Sequence, residues 1–227
     1  MIRTVILDID DTLYEWAAVD PVVVREFMGP YVMEHFGWTV EEYYRRLYAV
    51  TDELVAFSGT TGDCRDRIIR YPLMVEEAGF PVDPHAYDMY HLYWDNMLAR
   101  IEPYEGAEET LRELRARGIR IGACSDNTAE LQFKKLRVLG IGSCFDFVVT
   151  SAEAGIEKPD PKIFERTLAK AQCAPEECLF VGDVYAKDVL GPAKAGMRAL
   201  WFNNKGKPSI EGVTEIRALS EILEHLE

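Results

Sequence analysis

Cysteine is scarce and odd in number. The five present (Cys64, Cys124, Cys144, Cys173 and Cys178) show no CxxC spacing, which argues against a disulfide framework or a zinc site and fits thiols kept reduced in a cytoplasm. Long apolar runs are missing as well: nowhere do 18 or so apolar residues follow one another, so no membrane span is expected. The opening MIRTVILDIDDTL has a short apolar run cut off by acids and no small-residue cleavage site, so secretion is not expected either and the reading is cytoplasmic. Positive charge is in deficit, with a net charge of −14. That excludes general binding to nucleic acid or to an anionic membrane, whose phosphates are held by clustered Lys and Arg. A small anionic substrate stays compatible, because a local basic pocket outweighs the global field. No Pro/Gly/Ser-rich or low-complexity tract occurs, which removes disordered and fibrous classes. What is present is a 227-residue chain, 48% hydrophobic, able to form either one domain or a core with a modest insertion.

From Gly106 onward, helix-like and strand-like segments alternate as in βαβ units with a parallel sheet. Helical spacing in 106–118 is followed by a strand-like IRIGACS (119–125), a helix over 129–140, a strand over 145–151 and a helix over 161–171. A strand over 177–183, a helix over 186–196, a strand over 197–203 and a final helix in SEILEHLE complete the series. The segment from about Asp20 to Arg100 differs in kind: roughly four helical stretches, broken at Gly29-Pro30, at the GTTG turn (59–62) and between Pro81 and Pro84, with no convincing strand. Since the apolar run Thr4–Ile9 precedes this block and belongs with the later strands, the expected fold class is α/β. Residues 1–15 and 103–227 form a three-layer, Rossmann-like parallel-sheet core, and 16–102 form an inserted helical domain. The aromatics Tyr43, Tyr44, Tyr48, Tyr87, Tyr90, Tyr93 and Trp94 recur near helical spacing and read mostly as the core of that insertion.

Ligands of an open parallel sheet bind outside the carboxyl ends of its strands. Those positions here hold Asp8, Asp10 and Asp11 after the first run, Ser125, Asp126 and Asn127 after the second, Lys158 after the third, and Asp183 with Asp188 after the fourth. Each piece has an ordinary structural reading: acids before Thr make turns, Ser-Asp-Asn caps a helix, and Lys-Pro sits in a loop. Their conjunction at one sheet edge is what points to chemistry. Clustered carboxylates need a counter-charge, and hard oxygen ligands without His or Cys suit Mg²⁺. Mg²⁺ takes one or two protein carboxylates and keeps several waters. Asp8 and Asp183 with a contribution from Asp10 therefore suffice as ligands, and Asp188 is placed to orient Lys158 or metal-bound water.

These residues resemble the motifs of the haloacid dehalogenase superfamily, in its branch with a helical cap inserted after the first strand. DIDDT (8–12) is similar to its first motif, Ser125 in GACSDN to its second, Lys158 in GIEKPDP to its third and VGDVYAKD (181–188) to its fourth. The resemblance implies a phosphomonoester hydrolase in which Asp8 is the nucleophile that forms an aspartyl-phosphate. Asp10 is then the general acid and later the base, and Thr12 fixes the turn. Ser125 and the N–H groups of Asp126 and Asn127 hold the phosphoryl oxygens, Lys158 balances charge, and Asp183 completes the Mg²⁺ site. The family often has Gly where Asp11 stands, and Asp tolerates the same turn conformations. Dehalogenases lack an acid two residues after the nucleophile, so Asp10 speaks against that activity. Phosphonate hydrolysis needs a cap lysine, and residues 14–104 contain none. A phosphomutase shares every motif and stays open, as does, from a different class, a non-catalytic phospho-aspartate signalling or interaction protein. The implied partner is a small phosphorylated substrate such as a 5′-nucleotide or sugar phosphate, with no nucleic acid or membrane, and the protein is expected to be a monomer or homodimer. Arg65, in the turn SGTTGDCRDR, is a candidate substrate contact.

Overall fold

Buried parallel strands are covered on both faces and so read as continuous apolar runs. The five expected ones form. A computed structural model describes residues 1–227 and contains β1 (Thr4–Leu7), β2 (Arg120–Ser125), β3 (Phe147–Thr150), β4 (Cys178–Gly182) and β5 (Arg198–Phe202). A two-residue β6 (Glu215–Ile216), too short to show any periodicity, adds to the far edge. The order is β3-β2-β1-β4-β5-β6 and every pair is parallel. The chain thus builds outward from β1 on one side, then returns to build on the other. β1, β2 and β4 lie side by side, and their carboxyl ends carry Asp8, Ser125 and Asp183. Where β2 meets β3, Gly122 sits opposite Phe147, whose ring occupies the space a side chain would need.

Two compact units result: Met1–Glu15 with Glu102–Glu227, and Trp16–Ile101. In the first, α6 (Ala107–Ala116), α7 (Ala129–Val138), the single turn α8 (Ser151–Ala154), α9 (Pro161–Ala171) and the short α10 (Gly191–Lys194) connect the strands. Helix α9 shows how the sequence sets a boundary. Asp160 accepts a hydrogen bond from the N–H of Lys162, Pro161 stands where no N–H is needed, and Ile163, Phe164 and Ala171 bury against Ile6, Cys124, Val149 and Phe180. The helix expected over 186–196 is instead a π-helical stretch (Tyr185–Leu190) running into α10. Asp188 bends back to accept the N–H of Val184, and Pro192 has no N–H to give. The expected C-terminal helix is a 3₁₀ turn over Leu219–Glu224, too short to sustain an α-helix and without a basic residue in its last turn.

The second unit holds α1 (Trp16–Val23), α2 (Gly29–Phe36), α3 (Val40–Ser58), α4 (Arg67–Glu77) and α5 (His85–Leu98), with no strand. Gly29-Pro30 does not break the chain as expected. A π-helical turn, Val24–Met28, carries α1 into α2, and Pro30 falls in the first turn of α2, where its missing N–H costs nothing. Thr39 and Asp66 cap α3 and α4 through the N–H groups of Glu42 and Ile68. The core of this unit is built on Tyr43, Tyr71, Met74, Met89, Tyr93 and Met97 and encloses a charge. Asp20 accepts from Tyr93 (2.5 Å), Tyr44 (2.8 Å) and Arg67 (3.1 Å), and the Arg67 guanidinium lies 3.6 Å from the centroid of the Tyr93 ring. Of the aromatics expected inside, Tyr43, Tyr93 and Trp94 are buried, whereas Tyr48 and Tyr87 are exposed. No helix is long and apolar enough to cross a membrane.

Candidate active site

At the end of β1 the chain must turn sharply. Asp11 takes a left-handed conformation (φ 56°), which a short polar side chain tolerates, and Leu13 N–H closes back on the carbonyl of Ile9 at 2.9 Å. This turn leaves Asp8 buried at the strand end, with its backbone N–H bonded to the carbonyl of Val181 in β4. From the third loop comes Lys158, also buried, whose Nζ stands 2.9 Å from Asp8 Oδ1 and 2.7 Å from Asp188 Oδ1. Asp183 follows β4 directly, and Trp201 Nε1 donates to its carbonyl at 2.9 Å. Carboxylate oxygens of Asp8, Asp183 and Asp188 all lie within 4.8 Å of one another. Gly182 permits this packing: a Cβ there would come 2.5 Å from Cγ of Asp188.

Three buried carboxylates beside one ammonium leave an excess of negative charge. Burial, reinforced by Asp8, Asp188 and Asp11, pushes the Asp183 carboxyl up to about 7. Burial likewise raises Asp8 and Asp188 despite the attraction of Lys158, whose own ammonium is held well above its ordinary range by the two carboxylates although burial opposes it. Two buried oxygens, Asp8 Oδ1 and Thr12 Oγ1, have no well-directed hydrogen bond, the first contacting Lys158 only as an ion pair. An all-carboxylate donor set with surplus negative charge and an unsatisfied oxygen fits a hard divalent cation better than a soft one.

Asp10 is placed differently. Its side chain, 30% exposed, joins neither Asp8 nor Asp183 but faces α7, where Lys135 Nζ contacts both of its oxygens (2.6 and 2.9 Å). Tyr14 OH donates to Oδ1 and Gln132 Nε2 to Oδ2. Burial would raise this carboxyl, but Lys135, Tyr14 and Gln132 together hold it below the usual carboxylate range. Both of its side-chain oxygens are thus taken up by donors of the protein itself.

In the second loop Ser125 is buried and its Oγ accepts from Gln132 Nε2 at 2.9 Å. Asp126 acts as a structural tie, its oxygens accepting from Lys158 N–H (2.9 Å) and Lys187 Nζ (2.6 Å). Asn127, with φ 97°, spends its N–H on Ser151 Oγ (2.8 Å), so the expectation that this N–H meets a phosphoryl oxygen is not supported. Arg65 is exposed at the end of a 3₁₀ turn (Gly62–Arg65) in the helical unit, and its carbonyl accepts from Arg70.

Sequence reasoning passed over Lys135 and Gln132. Their signal was positional: α7 buries 131, 132, 135 and 136, a helical stripe on which a Lys and a Gln stand where apolar residues are expected. It also passed over Lys205 and Lys207 in the loop after β5, which reach Asp11 Oδ1 (2.8 Å) and Asp183 Oδ2 (3.7 Å). With Lys158 and Lys187 they offset part of the negative charge of the site.

Comparison with known proteins agrees with this arrangement. The chain is 32% identical over 205 residues to a glyceraldehyde 3-phosphate phosphatase of Methanothermobacter thermautotrophicus, covering 90% of this chain and 87% of that one. It is 30% identical over 229 residues to a phosphoserine phosphatase of Thermus thermophilus, covering 91% and 90%. Among solved structures it resembles a 2-haloacid dehalogenase of Pseudomonas syringae with a TM-score of 0.76 and 26% identity, over 100% of this chain and 98% of that one. The family model described as haloacid dehalogenase-like hydrolase matches residues 2–196, and with the sheet order and the grouped acids this places the chain in that family.

Proposed function

We propose that this protein hydrolyses phosphomonoesters of small metabolites through a phosphorylated Asp8. The observation that carries the reading is the buried Asp8 carboxylate, held 2.9 Å from Lys158, with an oxygen lacking a directed hydrogen bond. Lys135 keeps Asp10 ionised in the free protein, so Asp10 takes up a proton in the substrate complex and gives it to the leaving oxygen while Asp8 attacks phosphorus. A water, deprotonated by Asp10, then cleaves the acyl phosphate and frees inorganic phosphate. Lys158 offsets charge between Asp8 and the phosphoryl group, and the hydroxyls of Ser125 and Thr12 supply hydrogen bonds to its oxygens. Asp8, Asp183 and the carbonyl of Asp10 would hold Mg²⁺, which supplies positive charge against the phosphoryl oxygens.

Two of the relatives carry names that specify small phosphomonoesters, glyceraldehyde 3-phosphate and phosphoserine, and these head the candidate substrates, beside 5′-nucleotides and sugar phosphates. Another relative in structure is named a dehalogenase. Asp10 favours phosphatase chemistry, because an alkoxide needs a proton to leave and a halide does not. The helical unit Trp16–Ile101 is assigned the role of a substrate-selecting cap, with Arg65 as one of its contacts.

The test is phosphate release from this panel with Mg²⁺, with excess chelator, and in Asp8→Asn. Activity should need the ion and should vanish in the variant, and hydroxylamine should trap wild-type Asp8 as a hydroxamate during turnover. Halide release from 2-chloropropionate in place of phosphate release, or full turnover by Asp8→Asn, would overturn the assignment. An isomerised sugar phosphate without free phosphate would mean a mutase.

A further inference from the structure

Resting on the proposed phosphatase reading, the geometry points to Lys135, assisted by Gln132 and Tyr14, as a positioning residue that fixes the Asp10 carboxyl for proton delivery to the leaving oxygen. A carboxyl on a short side chain has two exchangeable oxygens and a soft terminal torsion, so its aim is not set by its own backbone. Here both oxygens are committed. Lys135 Nζ spans them at 2.6 and 2.9 Å, Tyr14 OH donates to Oδ1, and Gln132 Nε2 donates to Oδ2 at 3.1 Å.

The same Gln132 amide reaches Ser125 Oγ (2.9 Å) and the carbonyl of Asp126 (2.6 Å). One side chain therefore registers the group that would protonate the leaving oxygen against the loop that would hold the phosphoryl oxygens. Gln132 and Lys135 lie three residues apart on the buried stripe of α7, and Lys135 is 1% exposed. An ammonium in that position is costly to desolvate, and an apolar residue would complete the helix face without the cost. Its presence there is explained by what it holds. Misplacing a reacting group by about 1 Å costs on the order of 100-fold in rate, so a device that removes the freedom of Asp10 has a measurable kinetic effect.

The test separates this from a packing role by leaving group. An alkyl phosphate needs its departing oxygen protonated, whereas dinitrophenolate leaves without a proton. Since kcat/KM reports only the steps through loss of the leaving group, it isolates this half-reaction from hydrolysis of the acyl phosphate. Lys135→Met should lower kcat/KM for an alkyl phosphate by roughly 100-fold or more, the scale of general acid catalysis, and for 2,4-dinitrophenyl phosphate by less than about 5-fold. Lys135→Arg should recover part of the loss. Tyr14→Phe keeps the ring and removes one donor, so it should show the same split on a smaller scale even if Lys135→Met folds poorly.

Asp10→Asn is the reference. It should show the split at least as strongly, and adding Lys135→Met to it should cost nothing further on the alkyl ester. If Asp10→Asn shows the split while Lys135→Met and Tyr14→Phe slow both substrates alike, the positioning role is wrong and the phosphatase reading stands. If Asp10→Asn itself shows no split, the acid role of Asp10 is wrong and the proposal falls with it.

Discussion

Replacing Lys158 by Met tests whether the acid cluster is held together by one ammonium. At an effective dielectric near 20, each of its contacts at 2.7 and 2.9 Å is worth about 6 kcal/mol. Three ionised carboxylates whose oxygens lie within 4.8 Å repel one another by at least about 3 kcal/mol per pair. Attraction and repulsion therefore nearly cancel in the metal-free wild type, and the balance is struck with Asp183 already pushed up to about 7 by burial and its acidic neighbours. Without Lys158 only the more distant, half-exposed Lys207 opposes the repulsion, and the cheaper outcome is for one carboxylate to take up a proton. Moving a carboxyl from 3.8 to about 7 corresponds to about 4 kcal/mol, in line with the roughly 3–5 kcal/mol lost when a buried ion pair loses one partner.

Urea unfolding in the presence of a chelator reads this directly. At about pH 7.5 Lys158→Met should be roughly 3–5 kcal/mol less stable than wild type. Near pH 5 the deficit should shrink, because the protons that replace the ammonium are then available at little cost. The wild type has its own signature. A carboxyl raised in the folded state binds more protons than its unfolded counterpart between about pH 4 and pH 7, so metal-free stability should fall as pH rises through that window and level off above it. A deficit below about 1 kcal/mol in chelator, or one that does not change between the two pH values, would refute the electrostatic account of the site.

Two other substitutions probe what surrounds that cluster. Gly182→Ala would set a methyl 2.5–2.6 Å from Asp188, which is pinned on Lys158 and cannot move aside. It should cost about 1–3 kcal/mol and remove any shift in melting temperature on adding Mg²⁺, and a variant that melts as the wild type does both in chelator and with the ion would show that the close approach is unimportant. Asp20→Asn keeps the shape of the helical unit's buried acceptor but leaves the Arg67 guanidinium without its counter-charge. A loss of roughly 3–5 kcal/mol in chemical unfolding is expected, and a loss under about 1 kcal/mol would mean that the tyrosine hydroxyls, not the charge, hold this centre.

The strand-end chemistry was legible because a buried parallel strand announces its own end. VILD, GACSD and FVGD are apolar runs that stop at a polar residue, and stopping at one sheet edge is what brings Asp8, Ser125 and Asp183 together. Lys158 and Asp188 were legible as residue types, but their 2.7 Å contact depends on Gly182 having no side chain, which spacing does not reveal. Lys135 and Gln132 escaped notice because a polar residue inside a short amphipathic helix has no signature until its partner across the fold is known. The partner of the Asn127 N–H was not legible because the motif pattern marks a backbone donor without showing that Ser151, distant in sequence, accepts from it. At Gly29-Pro30 the two strongest breaker residues were absorbed by a π-helical turn, a register change that residue propensities do not encode.

The two ends of the helical insertion are stitched together inside the sheet-bearing unit. Tyr14 bridges to Pro103, and the N–H of Tyr104 donates to the carbonyl of Leu13 at 2.9 Å. Whatever lies between those anchor points is, to the sheet, a loop whose ends are already clasped, and doubling the length of such a loop costs only about 0.6 kcal/mol. Asp8, Asp10, Ser125, Lys158, Asp183 and Asp188 all lie on the clasped side. Evolution can therefore lengthen, shorten or exchange the excursion while the strand-end side chains keep their places.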